Sequence, residues 1–271
     1  MKNDRMKNTI KLVVSDMDGT LLNDQHELAP NFFEVYQKLK NQNILFVPAS
    51  GRQYYSILGY FDNLKKDIAI IAENGSYVTY KDKLVFADSI DKEKVKSIIL
   101  KTRELEQASI VVCGTKNAYI DSLDKDFQDF FAHFYTQNKL VPDLLEILDD
   151  DDIVKIAIYH PESSENKLFP ELKDFNHDGL QVVVSGPYWL DIMNQSTNKG
   201  NALKNLQQKL NISEDETMVF GDYLNDVEML KKAKYSYAME NAHPTVKAVA
   251  HYEAGSNNDF GVVKILETLV D

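Results

Sequence analysis

The sequence predicts an α/β protein, a doubly wound parallel-sheet core with a smaller α+β module inserted into it. Three observations lead there. Short, almost continuous apolar runs alternate with helical patterns at both ends of the chain, as parallel strands buried on both faces require. The middle of the chain breaks that alternation with several strands in succession. Acidic and hydroxyl residues recur just after the apolar runs, at the strand ends where open parallel sheets bind ligands.

Ile10–Ser15 is the first expected strand. Pro30 is expected at the first helical position, where its missing N–H costs nothing, opening a helix with Phe33, Val35, Tyr36 and Leu39. A strand over Ile44–Val47, a helix over Tyr54–Phe61 and a strand over Ile68–Ala72 follow. That order implies right-handed crossovers and a Rossmann-like sheet. Tyr77–Tyr80 and Leu84–Phe86 flank Lys81-Asp82-Lys83 as a hairpin.

Between residues 88 and 187 the pattern predicts helices over Lys92–Glu106, Asp126–Tyr135 and Asn166–Phe175. It predicts strands over Ser109–Cys113, Ala118–Asp121, Ile153–Tyr159 and Gln181–Ser185. The expected division is therefore a core of residues 1–87 and 188–271 and an inserted α+β domain of residues 88–187. Linkers near Ala87–Ile90 and Ser185–Tyr188 are the expected hinges. The core pattern resumes with helix Lys199–Leu210, strand Thr217–Phe220, helix Asn225–Lys232 and strand Tyr235–Met239. Helices near Pro244–Ala250 and Val262–Leu269 end the chain.

Composition narrows the function. A formal net charge of −12 argues against nucleic-acid binding, which needs a basic face. No apolar run approaches the ~20 residues of a membrane span. Residues 1–8 are polar, unlike a signal peptide. Cys113, the single cysteine, excludes an internal disulfide and a thiolate-rich zinc site. It reads as a buried strand thiol in a reducing cytoplasm. The six histidines show no metal spacing and read as surface or capping residues. Asp149–Asp152 reads as a solvated loop, without the alternation of a calcium loop. Phe127, Phe130, Phe131 and Phe134 have the i, i+3, i+4, i+7 spacing of a core helix face.

The chemistry gathers in four places. Asp16 and Asp18, at i and i+2 in Asp16-Met17-Asp18-Gly19-Thr20, suit a nucleophile and a proton donor. In isolation they also suit an acidic turn. Ser50-Gly51-Arg52 ends the second strand, where a hydroxyl and backbone N–H groups can hold an anion. Lys199-Gly200 opens a helix, where an ammonium can balance an aspartate and phosphoryl oxygens. Asp222, Asn225 and Asp226 follow the strand Met218–Phe220. Mg²⁺ takes one or two protein carboxylates and leaves its other positions to water and phosphate, so Asp16 with Asp222 can supply that pair. Each feature has a bland reading as a cap or a surface charge; together they converge on one sheet edge.

The motifs DMDGTL, SGR, ENGS, NKG and GDYLNDVEM, in that order over nearly the whole chain, resemble the haloacid dehalogenase (HAD) superfamily, and within it the Cof-like sugar-phosphatase branch. The resemblance implies a HAD-like core and a Mg²⁺-dependent, aspartyl-phosphate phosphatase acting on small-molecule phosphate esters such as sugar phosphates, flavin mononucleotide or pyridoxal phosphate. It implies Asp16 as nucleophile, Asp18 as general acid/base with its carbonyl on Mg²⁺, and Asp222 as metal ligand. Ser50 and Lys199 would bind the phosphoryl group, with Gly51, Asn225 and Asp226 in support. Ser50 follows Asp16 too closely for a large insertion after the first strand, whereas residues 51–198 separate it from Lys199. That spacing resembles the mobile α/β specificity cap of the Cof-like branch. Ser50 stands where threonine is common, and Tyr223 and Leu224 are bulkier than usual after the metal aspartate. Phosphoryl transfer between sugars, and a non-enzymatic phosphometabolite-binding role, stay open at this level. Oligomeric state is not encoded in any feature identified.

Overall fold

The structure is a computed structural model that describes residues 9–270; the polar start, residues 1–8, lies outside them. The chain divides into two compact units. The first comprises Met1–Gly51, Tyr60–Phe86 and Asn198–Asp271, and the second Arg52–Gly59 and Ala87–Thr197.

The first unit is built on β1 (Leu12–Asp16), β2 (Leu45–Ala49), β3 (Ala69–Ala72), β4 (Tyr77–Tyr80), β5 (Lys83–Ala87), β12 (Thr217–Gly221), β13 (Tyr235–Ala238) and β14 (Tyr252–Glu253). Their order is β14-β13-β12-β1-β2-β3-β4-β5. β1 is paired in parallel on both edges, Val14 with Val47 and with Val219, and all five of its residues are buried. The chain runs outward from β1 through β2 and β3, then returns to β1's other edge with β12 and β13. β1 is therefore the point where strand order reverses, the place where such sheets bind ligands. β4 turns back antiparallel on β3. The hairpin to β5 forms as expected, with Lys81 and Asp82 both at positive φ.

Helix α1 (Phe32–Asn41) buries Phe32, Val35, Tyr36 and Leu39, one stripe at helical spacing. It packs against the C-terminal α10 (Gly261–Val270), which buries Val262, Val263, Leu266 and Leu269. Phe32 meets Phe46 edge-on at 5.3 Å, so helix and sheet share one apolar layer. α1 begins at Phe32, so Pro30 precedes the helix instead of opening it.

The second unit contains β6 (Ser109–Gly114), β7 (Ala118–Ile120), β8 (Asn138–Leu140), β9 (Ile153–Tyr159), β10 (Leu180–Val184) and β11 (Trp189–Asn194), in the order β10-β11-β9-β6-β7-β8. All neighbours pair antiparallel except β7 and β8. Side chains alternate between faces. Ile110, Val112, Ile156 and Ile158 join Ile98 and Ile99 of α3 (Lys92–Arg103) in one cluster. Val111, Cys113 and Ala157 join Phe127 and Phe131 of α4 (Lys125–Ala132) in the other. Cys113 is a buried strand residue of this second cluster.

Five expectations are corrected. The division at residue 187 falls too early: β11 pairs with both β10 and β9, which carries the second unit on to Thr197. Ser185–Tyr188, expected as a hinge, is the turn of that hairpin, closed by the Ser185 N–H donating to the Trp189 carbonyl at 3.0 Å. The helix expected over Asn166–Phe175 is two single turns, Ser164–Lys167 and Phe169–Leu172, with Pro170 in the first positions of the second, followed by a 3₁₀ stretch. Within Asp149–Asp152, Asp151 is buried, because it accepts from Thr115 N–H and Oγ1, Lys116 N–H and Tyr119 OH. Phe134 lies beyond α4 and is exposed, so the expected aromatic core face is only partly core.

Candidate active site

Strand β1 delivers Asp16 to the sheet edge, opposite Ala49 of β2, and β12 ends one residue before Asp222. Helix α7 (Lys199–Leu210) starts beside them: Asn198 caps it by accepting from the Asn201 N–H at 2.8 Å, which sets Lys199 at the first helical position. Lys199 is fully buried. Its ammonium donates to Asp16 Oδ1 at 2.5 Å and to Asp226 Oδ1 at 2.7 Å. Oxygens of Asp16, Asp222 and Asp226 lie within 4.8 Å of one another.

The three carboxylates are not equivalent. Asp226 is fully buried, and its second oxygen accepts from the Asp222 and Tyr223 N–H groups at 3.0 and 3.2 Å. Its acceptor capacity goes to shaping the loop after β12. Asp222 Oδ1 accepts from Thr20 Oγ1 at 2.9 Å. Its other oxygen approaches Gly19 so closely that a Cβ there would lie 2.5 Å from it, and Gly19 has φ +75°. Only glycine suits both the left-handed backbone and that approach.

Electrostatics make the cluster demand a cation. Burial, then the Asp226 charge, push the Asp16 carboxyl well above the ordinary range against the pull of Lys199. Asp222 rises to about 6 for the same two reasons. Burial acts to lower the Lys199 pKa, but the charges of Asp16 and Asp226 outweigh it and hold the ammonium charged. Fully ionised, three carboxylates against one ammonium carry two negative charges in excess. An all-oxygen donor set with that excess suits a hard divalent cation.

Asp18 follows Asp16 by two residues, outside the trio. Its carboxylate is 3.1 Å from His26 Nδ1, with both side chains partly exposed. The carboxylate trio is thus completed by Asp226, not by the Asp18 side chain. Ser50 is buried just past β2; its N–H donates to the Ile71 carbonyl and its carbonyl accepts from the Asn74 N–H at 3.0 Å. Gly51 lies against the Asn74 carboxamide. Asn225 is exposed and donates to Asn74 Oδ1 at 3.2 Å.

Thr20, His26, Asn74 and Asn241, whose Nδ2 donates to the Gly19 carbonyl at 2.8 Å, were not singled out by motif chemistry. Thr20 lies inside the first motif and Asn74 in ENGS, so a signal existed for both. His26 and Asn241 carry none, since only the folded chain brings them to residues 18 and 19.

The chain matches the family model of haloacid dehalogenase-like hydrolases over residues 13–266. It is 34% identical to the 5-amino-6-(5-phospho-D-ribitylamino)uracil phosphatase YbjI of Escherichia coli (strain K12), covering 97% of each chain. It is 25% identical to the phosphatase YwpJ of Bacillus subtilis (strain 168), over 96% of this chain and all of the other. Among solved structures, TM0651 of Thermotoga maritima superposes with a TM-score of 0.86 at 28% identity, covering 95% of this chain and 97% of the other. The chain belongs to the haloacid dehalogenase-like hydrolase family, in which it is a phosphoric monoester hydrolase.

Proposed function

We propose that the chain hydrolyses small-molecule phosphate monoesters at Asp16 with the help of Mg²⁺. The observation that carries this is the buried ammonium of Lys199 bridging Asp16 and Asp226 within an uncompensated carboxylate trio. The carboxylates of Asp16 and Asp222 and the main-chain carbonyl of Asp18 would hold the ion. When bound, it neutralises the excess negative charge and lets a phosphate dianion approach.

Asp16 attacks phosphorus, and the bond from phosphorus to the ester oxygen breaks. Asp18 gives its proton to the departing alkoxide. Water then attacks the aspartyl-phosphate, Asp18 takes the proton back, and inorganic phosphate leaves. Lys199 keeps Asp16 oriented and receives phosphoryl oxygen charge, with the Ser50 hydroxyl and Gly51 N–H as further donors. Asp226 holds Asp222 in position and Asn225 steadies the same loop.

The name of the E. coli relative makes a phosphoribityl-aminouracil the leading substrate. The α+β insertion, Ala87–Thr197, supplies leaving-group selection, and the buried Cys113 thiol suits a reducing cytoplasm. Among the described residues, no helix is long and apolar enough to cross a membrane. The test is phosphate release from a panel of monoesters with Mg²⁺ and with EDTA. The panel includes 5-amino-6-(5-phospho-D-ribitylamino)uracil, hexose phosphates, flavin mononucleotide and pyridoxal phosphate. Metal-dependent release is expected, with the uracil ester hydrolysed fastest. Release undiminished by EDTA would sink the metal assignment, and indifference to the leaving group would sink the substrate assignment.

A further inference from the structure

We infer that Asn74 is a positioning residue of this site, clasping the Ser50–Gly51 loop to the Asp222–Asp226 loop. The inference rests on the phosphoryl-transfer reading above and assigns a role to the turn that follows β3.

Glu73, Asn74 and Gly75 are three consecutive residues at positive φ, +49°, +54° and +105°. Two non-glycine residues in the left-handed region are strained, and strain of this kind persists where the surroundings over-determine it. The surroundings here are the other loops of the site. The Asn74 N–H donates to the Ser50 carbonyl at 3.0 Å, while the Ser50 N–H is held by Ile71 at 2.9 Å. The Asn74 carboxamide lies over Gly51: a Cβ added there would sit 3.0 Å from Oδ1 and 3.1 Å from Nδ2. The same Oδ1 accepts from Asn225 Nδ2 at 3.2 Å. The next residue, Gly75, packs so tightly on the backbone before α7 that a Cβ would lie 2.5 Å from the Asn198 carbonyl.

One turn therefore touches the loop after β2, the loop after β12 and the residue preceding Lys199. Asparagine is common in left-handed turns, where its side chain ordinarily bonds its own neighbouring backbone. Here the carboxamide spans to a residue 151 positions away. Its position against Gly51 keeps the proposed anion-binding backbone at a set distance from the proposed metal loop. Asn74 needs no contact with the reacting atoms to do this; it acts through Gly51 and Asn225.

The test uses the full chain with N74G, N225A and the double variant. Glycine keeps the positive φ without strain and removes only the carboxamide. With p-nitrophenyl phosphate and Mg²⁺, N74G should lose roughly 10- to 100-fold in kcat/KM, the scale of a small misplacement of a reacting centre. Its melting temperature should stay within about 2 °C, since the substitution opens no core cavity. The affinity for inorganic phosphate as a competitive inhibitor should fall in parallel. N225A should lose activity too, and the double variant should be no worse than the weaker single variant, as groups acting as one unit are non-additive.

Unchanged kcat/KM in N74G, or losses that multiply in the double variant, would overturn the inference. Amide hydrogen exchange at residues 222–226 reads the clasp without turnover: it should accelerate in N74G, and unchanged exchange also overturns the inference. A wild-type chain inactive on every ester counts against the proposed chemistry, and the exchange measurement then still decides the clasp.

Discussion

Consider Asp222→Asn in the metal-free protein. Folding raises the Asp222 carboxyl from 3.8 to about 6, through burial first and the Asp226 charge second. A group whose pKa rises on folding stabilises the protein fully below its unfolded pKa and loses that contribution as pH rises through the folded value. At pH 7 the ionised Asp222 is therefore a net cost. A shift of about two units corresponds to about 3 kcal/mol. Partial exposure of the side chain screens this to about 2 kcal/mol. Asparagine keeps an oxygen for the Thr20 hydroxyl and removes the charge. In EDTA at pH 7 the variant should melt roughly 4–8 °C above wild type, the shift that such an energy gives in a chain of this size. The gap should close as the pH falls from 7 to 4, because wild-type Asp222 becomes neutral too. Added Mg²⁺ should raise the wild-type melting temperature and barely move the variant. The assay is thermal unfolding across pH, with and without metal. A variant no more stable than wild type at pH 7 in EDTA, or a gap that persists at pH 4, refutes the reasoning.

Three further perturbations probe the same cluster. Asp16→Asn should abolish turnover by more than about 10⁴-fold, the scale seen when a nucleophile is removed, with an unchanged circular dichroism spectrum; retained turnover removes Asp16 as nucleophile. Lys199→Ala leaves Asp16 and Asp226 facing each other without their shared ammonium, and should cost about 3–5 kcal/mol in urea denaturation as well as activity. Gly19→Ala forces a Cβ to within 2.5 Å of Asp222 Oδ2 at φ +75°. It should weaken the Mg²⁺ affinity measured in a metal titration, and wild-type metal affinity would show that the close approach does not matter.

What could be foreseen from the residues follows physical lines. β1 and β12 were legible because a strand buried on both faces must be continuously apolar, and their acidic ends stood out against that background. Lys199 is ambiguous in sequence, since a lysine at a helix start is ordinarily a surface charge; only its burial between two carboxylates gives it a role. β11 is hidden in the sequence because Asp191 and Asn194 interrupt its apolar pattern and a Ser-Gly-Pro turn precedes it. Its strand character comes from the two neighbours it pairs with. Asp151 is the converse case: four consecutive aspartates look solvated, but folding supplies one of them with four donors. His26 and Asn241 reach their partners only through tertiary structure, and no local pattern encodes that.

The two-sided pairing of β1 has a consequence for synthesis. Leu12 pairs with Leu45 soon after translation begins, but its other neighbour is Thr217. At ribosomal speeds of roughly 5–20 residues per second, some 170 residues separate the two pairings by about 9–34 s. For that interval the apolar edge of β1 has no native partner, and Lys199 and Asp226 have yet to reach Asp16. A chain released early would lack every charge that holds Asp16 in place and would expose an adhesive strand edge. The Lys199 ion pairs with Asp16 and Asp226 therefore form only once the last third of the chain has emerged, and with them the pairing that closes β1's second edge.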